Sequence, residues 1–120
     1  PGVTAKDLVL ALIAQESASG ASGHVVEYRG EVVAELSMEQ RMTVCNMSIE
    51  WGAKAGVMAP DAKTYDYLHG RAASPTEEKW SEATAYWDSL RTDADATFDT
   101  VVNLDVDAVR PFVTWGTNPG

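Results

Sequence analysis

The chain has 120 residues, enough for one domain that buries roughly two-thirds of its unfolded surface. Eighteen acidic residues against nine basic residues give a formal net charge of −9, which argues against nucleic acid and anionic membrane surfaces as partners. A single cysteine excludes an internal disulfide and suits a reducing, cytoplasmic location, and no apolar run approaches the roughly twenty residues of a membrane span.

The first predicted element is a helix from Thr4 to Gln15. Thr4 and Asp7 supply a cap and a negative charge in the first turn, where the helix dipole favours it. The small-residue run 17–23 that follows is either a flexible connector or a tight turn that lets another backbone approach closely. Two valine-rich segments, 24–30 and 31–36, then predict short strands on either side of Gly30.

The central predicted element is a helix that begins at Ser37. Ser37 followed by Gln40 is a capping-box pattern, and Gly52 and Gly56 are expected to weaken and end the helix. Apolar side chains recur at helical spacing and predict its buried face. They are Met42, Cys45, Ile49 and Ala53.

Two polar side chains lie four residues apart on this helix, beside the apolar face. Asn46 and Glu50 would stand one above the other on consecutive turns and could act on a single partner. From the residues alone, a solvated helix edge is the more general interpretation. Both interpretations stay open at this point.

The rest of the chain predicts further alternation of strands and helices. A buried strand is expected at 56–59, followed by a helix at 62–69 with Asp61 as its cap. A second start signal, Ser74, Pro75 and Glu77, predicts a helix of about four turns. Its apolar side, interpreted as core rather than as a stacking site, consists of Trp80, Ala83, Trp87 and Leu90.

The last third predicts a strand at 97–104, a turn at 105–109 and a terminal strand at 112–115. Helices alternating with short strands predict one α/β domain over residues 1–120, a three-layer α/β/α arrangement around a central short-stranded sheet. Because the sequence begins at Pro1 without methionine and ends irregularly, we expect an excised internal portion of a longer protein.

No metal site is predicted within the chain. The aspartates 93, 95 and 99 lack the glycine and the glutamate that a calcium loop needs at its sixth and twelfth positions. The two histidines are far apart, and one cysteine cannot complete a zinc site. Cys45 falls on the apolar face of its helix, where a thiol is an inert packing group.

Several separate segments resemble, in order and spacing, the large subunit of 3-isopropylmalate dehydratase, also called isopropylmalate isomerase, in the aconitase superfamily. The strongest is RMTVCNMSIEWGAKAG followed by VMAPD. The others are GVTAKDLVLALI, HVVEYRGEVVAELSME, SLRTDADATFD and VTWGTNPG, so the resemblance covers nearly all of the chain.

This resemblance implies a hydro-lyase that interconverts 2-isopropylmalate and 3-isopropylmalate in leucine biosynthesis. It implies a 4Fe-4S cluster acting as a Lewis acid, with ligands outside this chain, since Cys45 matches none of them. Glu50 is the residue that would bind the iron-bound water or hydroxide, and Asn46 would make a polar contact beside the cluster. The implied partners are the remainder of the large subunit and the small subunit in a heterodimer, so the chain alone is expected to be inactive.

The chain departs from the usual sequence pattern of that family at two positions. Gln40 stands where glycine is common, and Trp51 stands where a small residue or methionine is common, so the indole needs room in the neighbouring packing. Thr117 and Asn118 belong to a family-like terminal motif that could lie near the substrate. Two alternatives remain: a free-standing non-catalytic binding module, and the equivalent domain of a homoaconitase-type hydro-lyase.

Overall fold

The structure, a computed structural model, describes residues 2–115 and residue 119. Thr117 and Asn118, which belong to the family-like terminal motif, lie outside the described residues. The chain divides into two compact units, the first formed by Pro1–Met58 and Val101–Gly120 and the second by Ala59–Thr100.

The first unit is built on helices and a small parallel sheet. Its elements are α1 (Ala5–Glu16), β1 (Val25–Glu27), α2 (Glu31–Glu35), α3 (Met38–Met47), β2 (Ala55–Val57) and a 3₁₀ turn (Val106–Ala108). Strands β1 and β2 pair in parallel, with Val25 opposite Ala55 and Glu27 opposite Val57. The α/β class predicted from the sequence is therefore confirmed, with a sheet of two strands in the described residues.

The core of the first unit lies between α1 and α3, and α3 also packs on β2. Val9 and Ile13 of α1 are 0% and 1% exposed, and they share one apolar cluster with Val44 and Trp51. The predicted α1 is thus confirmed to within one residue at each end. Burial of its apolar side is the main source of its stability, since a 12-residue helix is marginal in isolation.

The segment 31–36 forms the short helix α2 and not the predicted strand. Two valines side by side favour a strand by propensity, but tertiary contacts override that preference. The buried Arg41 of α3 donates from Nη2 to the carbonyl of Ala34 at 2.9 Å and from Nε to the carbonyl of Leu36 at 3.2 Å. These bonds satisfy carbonyls that the end of α2 leaves unpaired.

The predicted strands at 97–104 and 112–115 are also wrong, because neither segment pairs with a strand in the part of the chain that the structure describes. Residues 101–106 nevertheless alternate between exposed and half-buried, with Val102 and Leu104 packed on the core of the first unit. The period of two reflects an extended segment lying on a surface. A period of two therefore does not require a neighbouring strand.

The second unit contains α4 (Ala62–Leu68) and α5 (Glu77–Asp88). The predicted Asp61 cap is confirmed, as its carboxylate accepts from the N–H of Thr64 at 3.2 Å. Helix α5 begins later than predicted, with Thr76 as its N-cap in place of Ser74. Its indoles are half-buried and not core, and they lie against Tyr65 of α4 and against His69, the residue that follows α4. Ring centroids are 5.8 Å apart for Tyr65 and Trp87 and 4.6 Å apart for His69 and Trp80.

Candidate functional site

Helix α3 leads into the candidate site, and its start was predicted correctly. The Ser37 hydroxyl accepts from the N–H of Gln40 at 3.3 Å, while the Gln40 side chain accepts from the N–H of Ser37 at 2.8 Å. This is the capping box expected from the sequence. Because the signal is local, four residues were enough to place it.

The end of α3 was predicted wrongly, since the helix stops at Met47 and not at Gly52 or Gly56. Residues 48–52 continue as a series of tighter turns, in which the N–H of Glu50 bonds the carbonyl of Met47 at 3.1 Å. Gly56 belongs to strand β2. Gly52 and Gly56 therefore lie in the turn and the strand that follow α3, and neither ends the helix.

Gly52 explains why the chain turns here. Its φ of +87° is a conformation that side chains disfavour, and a Cβ at this position would lie 2.7 Å from Ser22 Oγ. The turn is closed by the N–H of Ala53, which donates to the carbonyl of Ser48 at 3.0 Å. The N–H of Ala21 joins it to the neighbouring loop by donating to the carbonyl of Trp51 at 3.1 Å.

The buried side of this segment differs from the predicted one. Val44, Ser48 and Trp51 are buried, whereas Met42 and Ile49 are 48% and 68% exposed. Of the predicted apolar face, Ala53 is buried and Cys45 is half-buried. Within α3 the predicted face was one position away from the buried side, since Arg41 and Val44 are buried and Met42 is exposed. Beyond Met47 the prediction also extended an ideal helix through residues that fold as turns.

The unusual indole of Trp51 packs against Gly20, in the small-residue run 17–23. A Cβ on Gly20 would lie 2.7 Å from both the Trp51 Nε1 and the carbonyl oxygen of Glu16, so only glycine lets the ring fit there. Of the two alternatives left open by the sequence, the tight turn is therefore correct. The Nε1 itself has no hydrogen-bond partner in the described part of the chain.

Ser48, the residue that follows α3, connects this helix to the sheet. Its side chain is fully buried, and its Oγ lies 2.8 Å from the hydroxyl of Tyr28, the residue after β1. The same Oγ donates to the carbonyl of Val44 at 3.2 Å. Burial raises the pKa of Tyr28 above its ordinary value, so its phenol stays protonated at neutral pH.

Asn46 and Glu50, the predicted site residues, are both exposed. Asn46 lies in the last turn of α3, and Glu50 lies in the following turn rather than on the α-helix. Among the described residues, neither side chain has a hydrogen bond or an ion pair. An amide and a carboxylate with free polar atoms can bind hydroxyl groups, water or a carboxylic acid from outside the chain.

The described residues do not form a metal or cluster site. They contain no group of three or more histidine, cysteine, aspartate or glutamate residues that could hold a metal ion. Cys45 is half-buried, and burial raises the pKa of its thiol, which disfavours the thiolate that a metal would need.

The parallel strand pair, the helix α3 that packs on it and the exposed amide and carboxylate define a mixed α/β domain that presents polar groups at a helix end. A family model described as the Aconitase family (aconitate hydratase) matches residues 1–120, and the chain belongs to that family. It is therefore a domain of the hydro-lyase superfamily, whose members generally use a 4Fe-4S cluster. Within the described residues, no helix has the length and apolar character needed to cross a membrane.

Proposed function

We propose that the chain is a domain of the large subunit of a 3-isopropylmalate dehydratase, which interconverts 2-isopropylmalate and 3-isopropylmalate in leucine biosynthesis. The observation that carries the proposal is the exposure of both Asn46 and Glu50, four residues apart on an anchored segment, in an aconitase-family chain. Polar groups without partners inside the chain are available to a ligand outside it.

In this proposal Glu50 and Asn46 have different roles toward the water molecule or the departing hydroxyl group. The Glu50 carboxylate accepts a hydrogen bond from the hydroxyl that leaves the substrate or from the water that returns, and it can take the proton of that water. The Asn46 amide offers both a donor and an acceptor, so it orients the same oxygen from the preceding turn. Both roles require only groups that the structure shows to be exposed.

The cluster of the family does not fit the residues present here. A cluster requires several cysteine thiolates, and the chain has one cysteine, half-buried and with a raised pKa. When bound elsewhere in the enzyme, the cluster supplies Lewis-acid chemistry. The proposal accordingly includes the remainder of the large subunit and the small subunit as partners, and it makes this chain inactive alone.

Uncovered apolar side chains support a composite site between domains. Ile49, between the two polar residues, is 68% exposed, and Val25 and Val57 on the sheet are 61% and 46% exposed. Parallel sheets are normally covered on both faces, so exposed strand valines indicate missing neighbours. A closed, wholly polar surface here would have favoured the free-standing module instead.

The test is a Glu50→Gln substitution in the enzyme assembled with the remainder of the large subunit and the small subunit. Loss of the carboxylate should lower kcat for hydration by about 10² to 10⁴, the usual contribution of a positioned acid or base. Glu82→Gln changes an exposed carboxylate on α5 and serves as the matched control. Unchanged turnover in Glu50→Gln would show that the assignment is wrong.

The substrate itself is tested by comparing 2-isopropylmalate with homocitrate and citrate in the same assembly. Faster turnover of homocitrate would assign the chain to a homoaconitase-type hydro-lyase. No turnover of any of the three acids would favour the free-standing binding module.

A further inference from the structure

The turn that carries Glu50 is attached to the rest of the first unit at two points. Ser48 precedes Glu50 and is 0% exposed, and Trp51 follows it and is 4% exposed. Only Ile49 and Glu50 lie between these two buried residues. The position of the carboxylate is therefore set by what holds Ser48 and Trp51.

The hydrogen bond between Tyr28 and Ser48 has a defined direction. A serine hydroxyl carries one proton, and Ser48 gives it to the carbonyl of Val44 at 3.2 Å. The Tyr28 hydroxyl at 2.8 Å must therefore be the donor, and Ser48 Oγ the acceptor. Both hydroxyl groups are used, and the bond cannot reverse without losing the one to Val44.

Tyr28 is itself fixed by the sheet. Its N–H donates to the carbonyl of Val57 at 3.0 Å, which extends the pairing of β1 and β2 by one residue. Gly56 lets the strand approach α3 closely, because a Cβ there would collide with the Ser48 side chain and lie 3.1 Å from the Cα of Cys45. Tyr28 thus links the sheet, through its backbone N–H, to Ser48 at the end of α3, through its hydroxyl.

We propose that the Tyr28–Ser48 hydrogen bond is a latch that holds the Glu50 turn against the sheet and so sets Glu50 relative to Asn46 for catalysis. Ser48 is completely buried and cannot touch a substrate, and the Tyr28 hydroxyl acts through Ser48, so both are positioning residues. The inference rests on the proposed function of Glu50 and Asn46. It adds two residues for which neither a catalytic motif nor the family match gives a role.

The structural half of the test is amide hydrogen exchange in the 120-residue chain. In Tyr28→Phe, the amides of Glu50 and Ala53 should exchange roughly five- to tenfold faster, which corresponds to the loss of about one hydrogen bond. The amide of Leu12 in α1 should be unaffected. Unchanged exchange at Glu50 and Ala53 would overturn the latch whatever the function of the chain.

The functional half uses the assembled enzyme. Tyr28→Phe and Ser48→Ala should each lower kcat roughly ten- to a hundredfold with KM changed by less than about twofold, because misplacement of a reacting group affects the transition state more than binding. The double variant should be no slower than the slower single variant, since both changes remove the same bond. Tyr65→Phe removes a tyrosine hydroxyl bond of similar length, 2.7 Å to Asp88, and should leave both constants unchanged.

The outcomes separate the two proposals. Faster exchange with unchanged kcat in Tyr28→Phe would overturn the positioning role, as would multiplicative losses in the double variant. A Glu50→Gln enzyme of normal activity would overturn the proposed function, while the exchange result would still report on the bond. If Ser48→Ala fails to fold, Tyr28→Phe alone decides the case, because it removes one oxygen and leaves the bond from Ser48 to Val44 in place.

Discussion

At the residue scale, Asp7 joins segments that are distant in the sequence of the first unit. One carboxylate oxygen accepts from the N–H and the hydroxyl of Thr4, each at 2.7 Å, and the other accepts from the N–H of Phe112 at 2.7 Å. The group is only 5% exposed. It therefore caps α1 and fastens the C-terminal segment with the same side chain.

We expect Asp7→Asn to lower the free energy of unfolding by about 1 to 2 kcal/mol at pH 7, because the new amide nitrogen cannot accept a hydrogen bond. Urea unfolding of the two proteins measures the difference. Asp66→Asn, on the exposed side of α4, is the control and should change stability by less than about 0.5 kcal/mol. Equal loss in both variants would contradict the role of Asp7.

The same carboxylate predicts a pH dependence. The N–H of Phe112 and the two donors of Thr4 hold the pKa of Asp7 below its usual range. A lowered pKa in the folded state stabilises the protein above the unfolded pKa of about 4 and loses that effect as the pH falls through the folded pKa. The stability difference between wild type and Asp7→Asn should thus be constant near neutrality and shrink in acid. A difference that grew with acidity would have the wrong sign.

Gly20 offers a second prediction at this scale, because it leaves the space that the Trp51 ring fills. Gly20→Ala would force the indole or the end of α1 to shift, which should cost about 1 to 3 kcal/mol. Thermal unfolding measures the loss, and Ser19→Ala in the same exposed turn is the control. If Gly20→Ala were neutral, the close packing of Trp51 on this turn would be refuted.

At the scale of elements, α3 shows which structural features can be predicted from the sequence. The capping residues of α1, α3 and α4 were identified because each cap depends on residues within one turn. The end of α3 depends on Trp51 reaching Gly20 and on Gly56 packing beside Ser48, contacts between residues far apart in sequence. The roles of the candidate pair came from the resemblance, whereas the bond between Tyr28 and Ser48 joins two separate segments and required coordinates.

The corrected buried face of α3 is itself testable. Val44→Ala should destabilise the protein by about 2 kcal/mol, because this side chain is 3% exposed in the core. Ile49→Ala removes more atoms but from a side chain that is 68% exposed, so it should change stability by less than about 0.5 kcal/mol. The face predicted from the ideal helix requires the opposite order. Denaturant unfolding of the two variants distinguishes the two faces.

At the scale of the whole molecule, burial is distributed unevenly. The first unit has an apolar core with Val9 and Ile13 almost completely inaccessible, whereas none of the described residues from 59 to 100 is buried. Local stability follows buried apolar contacts, and regions without them open at low free energy. The sequence predicted a single domain with a buried indole face on α5, and it could not show how little of that face is covered.

We therefore expect native-state hydrogen exchange to resolve two levels of protection. Amides in α5 should exchange through openings that cost less free energy than those of Val9 and Ile13, by at least about 1.4 kcal/mol or roughly tenfold in rate. Ala83→Gly, in the middle of α5, should speed exchange in α5 by lowering helix propensity and leave α1 unchanged. One shared opening energy for both helices would mean that the two units unfold together.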